Sequence, residues 1–236
     1  MSDVMGKVHS FESFGTLDGP GLRFIIFLQG CPFRCLHCHN PDTWDPEGGR
    51  EVGTKEVISR ITRCRSYLRN GGATISGGEP LFQPDFTLAL LQGLKAERIH
   101  TALDTSGLIP LDRSAPVIDA ADMLLLDIKA LDADDCLKLS GGRIENTLAT
   151  LDYCEKTGKR VWIRHVVVPG LTLDHEKLKA LGDHLAPFSC VERVELLPFS
   201  KLGESKWSDL GIDYALEPVP APTPEQMDAA QRAMKK

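Results

Sequence analysis

The chain contains 236 residues, of which 42% are hydrophobic and 25% are charged, and its formal net charge is −6. These proportions are those of an ordinary globular protein and exclude a disordered or collagen-like chain. The acidic balance argues against nucleic acid as a partner, because nucleic-acid-binding surfaces are rich in Lys and Arg. Seven cysteines are present, and an odd number cannot form a fully paired disulfide framework.

The amino-terminal region lacks the features of a targeting or membrane segment. Residues 1–21 contain acidic side chains and no long apolar stretch, unlike a secretory signal. The longest apolar run, residues 24–28, is far shorter than the roughly 20 residues that a membrane helix needs. We therefore expect a cytoplasmic protein that has no membrane partner and whose cysteines stay reduced.

The hydrophobic pattern alternates between strand and helix along most of the chain. Apolar, β-rich runs predict strands at residues 22–29, 73–76, 99–105, 122–129, 160–168 and 191–198. Helical periodicity predicts helices at residues 54–70, 84–97, 115–121, 144–156 and 174–185. This order predicts an α/β fold with a parallel sheet. Six units are too few for a closed eight-stranded barrel of about 250 residues, so we expect a partial (βα)6 TIM-like barrel.

The carboxy-terminal region combines a stiff linker with a final helix. Residues 218–224 contain four prolines and predict an extended linker. Thr223, Pro224 and Gln226 have the spacing of a capping box, which predicts a helix over residues 225–235. We expect this helix to pack on the outside of a single domain that spans residues 1–236.

Three cysteines lie close together directly after the first predicted strand. Cys31, Cys35 and Cys38 fall in a loop at its carboxyl end, where barrel active sites are built. Three thiolates would leave one iron of a [4Fe-4S] cluster without a protein ligand and open to substrate. A zinc site completed by His37 or His39 is the alternative, although zinc modules usually contain a second cysteine pair.

The cysteine spacing resembles the cluster motif of the radical S-adenosylmethionine (radical SAM) enzymes. Further segments are similar to those of the glycyl-radical activating enzymes, in particular the pyruvate formate-lyase activating family. These segments are residues 10–13, 15–21, 39–44, 76–80, 103–107, 126–129 and 162–164. The resemblance extends from about residue 8 to residue 207. Some relatives carry a ferredoxin-like insert with extra cysteines, and this chain lacks it.

The resemblance implies an enzyme of anaerobic metabolism that binds a [4Fe-4S] cluster and S-adenosylmethionine (SAM). It would cleave SAM reductively and abstract a hydrogen from a backbone glycine of a glycyl-radical enzyme, with pyruvate formate-lyase as the first candidate. Flavodoxin or ferredoxin would donate the electron, and we expect the activating enzyme to be a monomer. The alternatives are an activator of another glycyl-radical enzyme, a different radical SAM enzyme, and a zinc-stabilised binding module.

The resemblance also assigns site residues. Cys31, Cys35 and Cys38 would be the cluster ligands, and the SAM site would comprise His37, Cys38, His39, Gly77, Gly78, Glu79, Asp127, Ile128, Lys129 and Ser200. Asp104, Thr105 and Asp127 would bind a monovalent cation. The residues themselves leave simpler interpretations open: Gly77 and Gly78 could form only a tight turn, and Asp127 with Lys129 could be a solvated strand end.

One position departs from the family pattern. The family has a SAM-contacting histidine after its Leu-Leu-Pro-aromatic stretch, whereas this chain has Ser200. The substitution removes an imidazole from the expected nucleoside contact. The remaining cysteines, which are Cys64, Cys136, Cys154 and Cys190, are expected to be small apolar packing residues.

Overall fold

The structure, a computed structural model, describes residues 2–234. The chain forms two compact units. The first comprises the chain up to Pro32 together with Thr43–Leu126, and the second comprises Phe33–Asp42 and the chain from Asp127 onward. The single domain expected over residues 1–236 stays a prediction. Within residues 2–234, no helix combines the length and the apolar character needed to cross a membrane.

The first unit is built on a mixed sheet whose central strands are buried. Its strands are β1 (Met5–Gly15), β2 (Arg23–Leu28), β3 (Arg50–Gly53), β4 (Gly72–Gly77), β5 (Thr101–Thr105) and β6 (Met123–Asp127). They lie in the order β3-β1-β2-β4-β5-β6. β1 is antiparallel to both of its neighbours, whereas β2, β4, β5 and β6 are parallel. The parallel arrangement brings the carboxyl ends of β2, β4 and β5 to one edge of the sheet.

The first helix of this unit follows β3, and the other two follow the parallel strands β4 and β5. The helices are α1 (Thr54–Arg63), α2 (Pro84–Ala96) and α3 (Leu111–Ala120). Val57, Leu90 and Ile118 are fully buried, one from each helix. The sheet also buries Arg23, whose guanidinium donates to Thr74 Oγ1 at 3.0 Å. Burial lowers the pKa of Arg23 to about 10.

Up to residue 234, the second unit contains two parallel strands and five helices. The strands are β7 (Arg160–Val167) and β8 (Val191–Pro198). The helices are α4 (Ala133–Ser140), α5 (Ile144–Thr157), α6 (His175–Leu185), α7 (Glu204–Asp209) and α8 (Pro224–Met234). Ala230 of α8 packs with Leu178 of α6 and Val167 of β7. The final helix therefore packs against α6.

Most of the predicted elements are confirmed, and the differences have local causes. All six predicted parallel strands are present, with bounds that shift by two residues or fewer. The capping box is also present, since Gln226 N donates to Thr223 Oγ1 at 3.2 Å and Thr223 N donates to Gln226 Oε1 at 2.8 Å. The final helix was predicted to reach residue 235, which lies outside the described residues. The first helix ends at Arg63 instead of residue 70, because the chain continues in turns.

Candidate active site

The cysteine loop is anchored separately in each unit. In the first unit, the backbone N–H of Cys31 donates to the carbonyl of Trp44 at 3.3 Å. In the second unit, Arg34 N donates to Ser140 O, and Cys38 N donates to Cys35 O at 3.1 Å. These contacts hold the backbone on both sides of the Pro32–Phe33 junction.

All seven cysteines lie within residues 2–234 and carry thiols that are not joined in disulfides. Cys31, Cys35 and Cys38 are half-buried, in contrast to the buried Cys136, Cys154 and Cys190. Accessible thiols in a loop have the donor chemistry that an iron–sulfur cluster requires. Within the described residues, no three Cys, His, Asp or Glu side chains are grouped as a preassembled metal site. The role of these three cysteines as cluster ligands therefore stays a prediction.

The glycine pair after β4 packs directly against the loop that carries Cys31. Gly78 N donates to Leu28 O at 2.8 Å, and Glu79 N donates to Gly30 O at 3.0 Å. A Cβ atom at Gly78 would lie 2.3 Å from Gly30 O and 3.3 Å from Cys31 Cβ. Gly77 has φ +111°, and a Cβ there would lie 2.2 Å from Leu28 N. Only glycine fits these positions, because the two backbones are in contact.

Glu79 is buried at the carboxyl edge of the first unit, with both carboxylate oxygens occupied. Oε1 accepts hydrogen bonds from Leu81 N at 3.2 Å and Thr105 Oγ1 at 2.7 Å. Oε2 accepts hydrogen bonds from Ser106 N at 3.1 Å and Ser106 Oγ at 2.5 Å. Burial raises the pKa of Glu79, although the hydrogen bonds act in the opposite direction. The carboxylate predicted to contact SAM is thus bonded to the end of β5.

The predicted cation ligands of the first unit also have partners within the protein. Asp104 Oδ2 accepts a hydrogen bond from Ser76 Oγ at 2.7 Å. The Thr105 hydroxyl donates to Glu79 and accepts a hydrogen bond from Gly107 N at 3.0 Å. Asp127, the third predicted ligand, belongs to the second unit. The cation site stays a prediction.

In the second unit, His37 is buried with unsatisfied ring nitrogens. It is 7% exposed, and neither nitrogen has a hydrogen-bond partner among residues 2–234. Burial and the nearby Lys129 charge lower the pKa of His37 to about 3, so the ring is neutral at physiological pH. Buried polar groups are normally hydrogen-bonded. A buried imidazole whose nitrogens have no partner among the described residues therefore fits a site in which a bound ligand supplies the hydrogen bonds.

Asp127 and Lys129 form an ion pair in the second unit. Their carboxylate and ammonium groups are 2.8 Å apart, and the Lys129 side chain is only 12% exposed. Burial raises the pKa of Asp127, but the charges of Lys129 and Arg164 outweigh it and hold the pKa below its usual range. Between them, Ile128 is buried, and its N–H donates to Arg164 O at 2.9 Å. Asp127 and Lys129 are therefore not simply the solvent-exposed end of a strand, because both side chains are largely buried.

Ser200 contacts His39, and both residues were predicted in the SAM site. His39 Nε2 lies 3.0 Å from the Ser200 carbonyl oxygen and 3.3 Å from its hydroxyl. An imidazole is therefore present beside Ser200, although it comes from the cysteine loop rather than from position 200. The structure brings these two residues together across 161 positions of sequence.

Sequence reasoning assigned no role to α7, which contacts the cysteine loop. Trp207 Nε1 donates to Cys38 O at 3.0 Å, and Lys206 Nζ donates to Asn40 Oδ1 at 2.8 Å. The six-residue helix has too little periodicity to be recognised. The one available signal was the extent of the family resemblance, which ends at Trp207.

Comparison with known proteins identifies the family. The Radical SAM superfamily model matches residues 25–181. The pyruvate formate-lyase 1-activating enzyme of Escherichia coli strain K12 is 42% identical over 231 residues, which cover 95% of this chain and 93% of that protein. A pyruvate formate-lyase-activating enzyme of Staphylococcus epidermidis is 44% identical, with coverage of 97% and 95%.

A solved structure gives the same fold assignment. A crystal structure of a domain of pyruvate-formate lyase-activating enzyme from Bacteroides vulgatus superposes with a TM-score of 0.58 and 23% identity. The superposition covers 70% of this chain and 93% of the Bacteroides vulgatus domain. The predicted α/β radical SAM fold is confirmed, and with it the requirement for a [4Fe-4S] cluster and SAM. The chain belongs to the radical SAM superfamily and, within it, to the pyruvate formate-lyase activating enzymes.

Proposed function

We propose that this enzyme activates pyruvate formate-lyase by removing a hydrogen atom from a backbone glycine of that protein. The observation that carries the proposal is the Cys31, Cys35 and Cys38 triad in a chain 42–44% identical to curated activating enzymes over nearly its full length. When bound, the cluster and SAM supply the one-electron cleavage that generates the hydrogen-abstracting species. The protein supplies the binding, the orientation and the exclusion of competing reactions.

Cys31, Cys35 and Cys38 would hold the cluster through three thiolates, which leaves one iron for SAM. Gly77 and Gly78 support this arrangement, because their bare backbone allows the β4 turn to lie against the Cys31 loop. Any larger residue at position 78 would push Cys31 away. The glycine pair thus contributes to the shape of the site.

The polar groups of the second unit would bind SAM. They are His37, His39, Asp127, Ile128, Lys129 and Ser200. The neutral His37 ring offers a hydrogen-bond donor and acceptor that have no partner among the described residues. The Asp127–Lys129 pair presents two opposite charges, as a zwitterionic methionine group requires.

Glu79 would act differently from its expected role as a direct SAM ligand. Its carboxylate is held by four donors from Leu81, Thr105 and Ser106. We propose that Glu79 positions the glycine turn and the end of β5, with any SAM contact made by the backbone of Gly77 and Gly78. Asp104, Thr105 and Asp127 would supply oxygen ligands to a monovalent cation.

The remaining features of the proposal follow from the family. The enzyme would be a cytoplasmic monomer that receives its electron from flavodoxin or ferredoxin and works under anaerobic conditions. A different glycyl-radical partner is the second candidate. The observation that favours it is Ser200, which replaces a histidine that the family places near SAM.

Anaerobic reconstitution tests the proposal. The reduced protein should bind iron and sulfide, form 5′-deoxyadenosine from SAM, and produce a glycyl electron paramagnetic resonance (EPR) signal in pyruvate formate-lyase. Cys35→Ala should abolish all three, whereas Cys64→Ala should retain them. Binding of one zinc without sulfide would overturn the assignment. SAM cleavage without a glycyl signal in pyruvate formate-lyase would favour the second candidate.

A further inference from the structure

Helix α7 contacts the segment that follows the last cysteine of the motif. Trp207 is 4% exposed and packs against Tyr214 with ring centroids 5.0 Å apart. Its indole N–H donates to the carbonyl of Cys38 at 3.0 Å. This hydrogen bond fixes the peptide plane between Cys38 and His39, and the orientations of both side chains depend on that plane.

The preceding residue of α7 contacts the same segment further along. Lys206 Nζ lies 2.8 Å from Asn40 Oδ1 and 3.0 Å from Asp42 Oδ2. The ion pair is one-third exposed, so it contributes little to stability by itself. Its geometric effect is larger, since one ammonium joins two side chains of the loop and restricts the backbone between them.

The turn before α7 completes the contact. A Cβ atom at Gly203 would lie 2.5 Å from the carbonyl oxygen of His39 and 2.6 Å from its Cα. The two backbones are therefore in direct contact at the residue that follows Cys38. Gly203, Lys206 and Trp207 together contact four residues of the cysteine loop, which are Cys38, His39, Asn40 and Asp42.

We propose that α7 is a positioning element of the active site, with Trp207 and Lys206 as positioning residues for Cys38 and His39. The inference rests on the proposed function, because it assigns Cys38 to the cluster and His39 to SAM. Groups that orient metal ligands through hydrogen bonds typically change metal affinity or activity by about 10- to 100-fold when they are removed. The pair acts on orientation and does not touch the substrate.

Trp207→Phe tests the hydrogen bond because it keeps an aromatic ring and removes the indole N–H. Trp162→Phe is the matched control, since its indole donates to Glu192 at 3.3 Å on β8. After anaerobic reconstitution, we expect Trp207→Phe to shift the EPR g-values of the reduced cluster and to weaken SAM binding about 10-fold. Trp162→Phe should leave the g-values and the dissociation constant of SAM unchanged.

Lys206→Met provides a second test at a more exposed position, in case Trp207→Phe fails to fold. It should weaken SAM binding, Lys206→Arg should restore part of the affinity, and Lys179→Met should have no effect because Lys179 pairs with Asp183 on α6. Melting temperature is measured in parallel, because a merely structural contact would lower it without moving the g-values or SAM affinity.

Wild-type g-values and SAM affinity in folded Trp207→Phe and Lys206→Met would overturn the inference. These readouts do not require a glycyl-radical partner, so they separate the two proposals. If the wild-type protein binds no cluster, the proposed function fails. If it binds the cluster and SAM while both variants match it, only the positioning role of α7 fails.

Discussion

Ser106 donates two hydrogen bonds to a single oxygen of Glu79, one from its backbone N–H and one from its hydroxyl. The two residues follow different strands, since Glu79 lies just after β4 and Ser106 just after β5. Their contact ties together two strand ends at the edge where the glycine pair lies. Because the carboxylate is buried, the loss of any one donor would leave part of its hydrogen-bonding capacity unsatisfied and destabilise the fold.

Ser106→Ala should lower the free energy of unfolding by about 2 kcal/mol, because a hydrogen bond to a buried charge contributes about 1.5–3 kcal/mol. Urea titration of the apo protein measures the change. Ser59→Ala, at an exposed position on α1, is the control and should change stability by less than about 0.5 kcal/mol. Equal stabilities for the two variants would contradict the role assigned to the Glu79 network.

Gly78→Ala should prevent correct placement of Cys31, because the added methyl group would lie 2.3 Å from Gly30 O. We expect the reconstituted variant to bind much less iron than wild type, as measured by iron analysis and the cluster absorbance. Gly158→Ala is the matched control. Gly158 has φ +67°, and a methyl group there would meet no heavy atom within 4 Å, so the change should cost only about 1–2 kcal/mol, the cost of a left-handed backbone conformation. Full iron content in Gly78→Ala would refute the steric argument.

His37→Phe should stabilise the apo protein and weaken SAM binding. Removing a buried ring with unsatisfied nitrogens relieves a cost of about 1–3 kcal/mol, and the same nitrogens would no longer bind SAM. Urea titration and calorimetric titration with SAM measure the two effects. His184→Phe is the control, since His184 Nε2 also lacks a partner among the described residues but lies on α6. The assignment of His37 to SAM would be wrong if both variants kept wild-type affinity.

Glu155 should make the stability of the second unit sensitive to acid. Hydrogen bonds from Ser189 Oγ at 2.7 Å and Cys190 N at 2.8 Å lower the pKa of Glu155 to about 2. Because the folded pKa lies below the unfolded value, this stabilisation is present above about pH 4.5 and is lost as the pH falls toward 2. Glu155→Gln should therefore lose less stability than the wild-type protein between about pH 5 and about pH 3.

Thermal unfolding of the apo protein across this pH range measures the effect. Asp228→Asn, at an exposed position on α8, is the control and should follow the wild-type pH dependence. A wild-type acid profile in Glu155→Gln would show that the two hydrogen bonds do not couple to folding.

The central parallel strands could be predicted because each combines a buried apolar run with flanking turns, as β6 does with its four buried residues Met123–Leu126. β8 also has the predicted bounds of residues 191–198, although its residues are half-buried or exposed. β1 was missed because the segment contains polar residues such as Lys7, Ser10 and Glu12, and many of its positions are only half-buried. The eight-residue helix α4 was missed for a similar reason, since it is short and rich in Asp.

The site could be predicted only where its signal is local in sequence. The three cysteines and the glycine pair belong to compact motifs, and the structure explains the glycine pair by direct backbone contact. The hydrogen bonds that Thr105 and Ser106 donate to Glu79 depend on the alignment of β4 and β5. The Gly-Gly-Glu motif by itself does not encode that alignment. The contact between Trp207 and Cys38 joins residues 169 positions apart, a separation at which no sequence pattern reports proximity.

The 169 positions between Cys38 and Trp207 determine which of the two residues is synthesised first. The cysteine motif leaves the ribosome well before the indole that holds Cys38, which is not made until residue 207. Because folding during synthesis proceeds from the amino terminus, the nascent chain carries its three thiols for most of translation without this anchor. With α7 as the proposed positioning element, the loop would reach the shape that holds the cluster only after α7 has emerged.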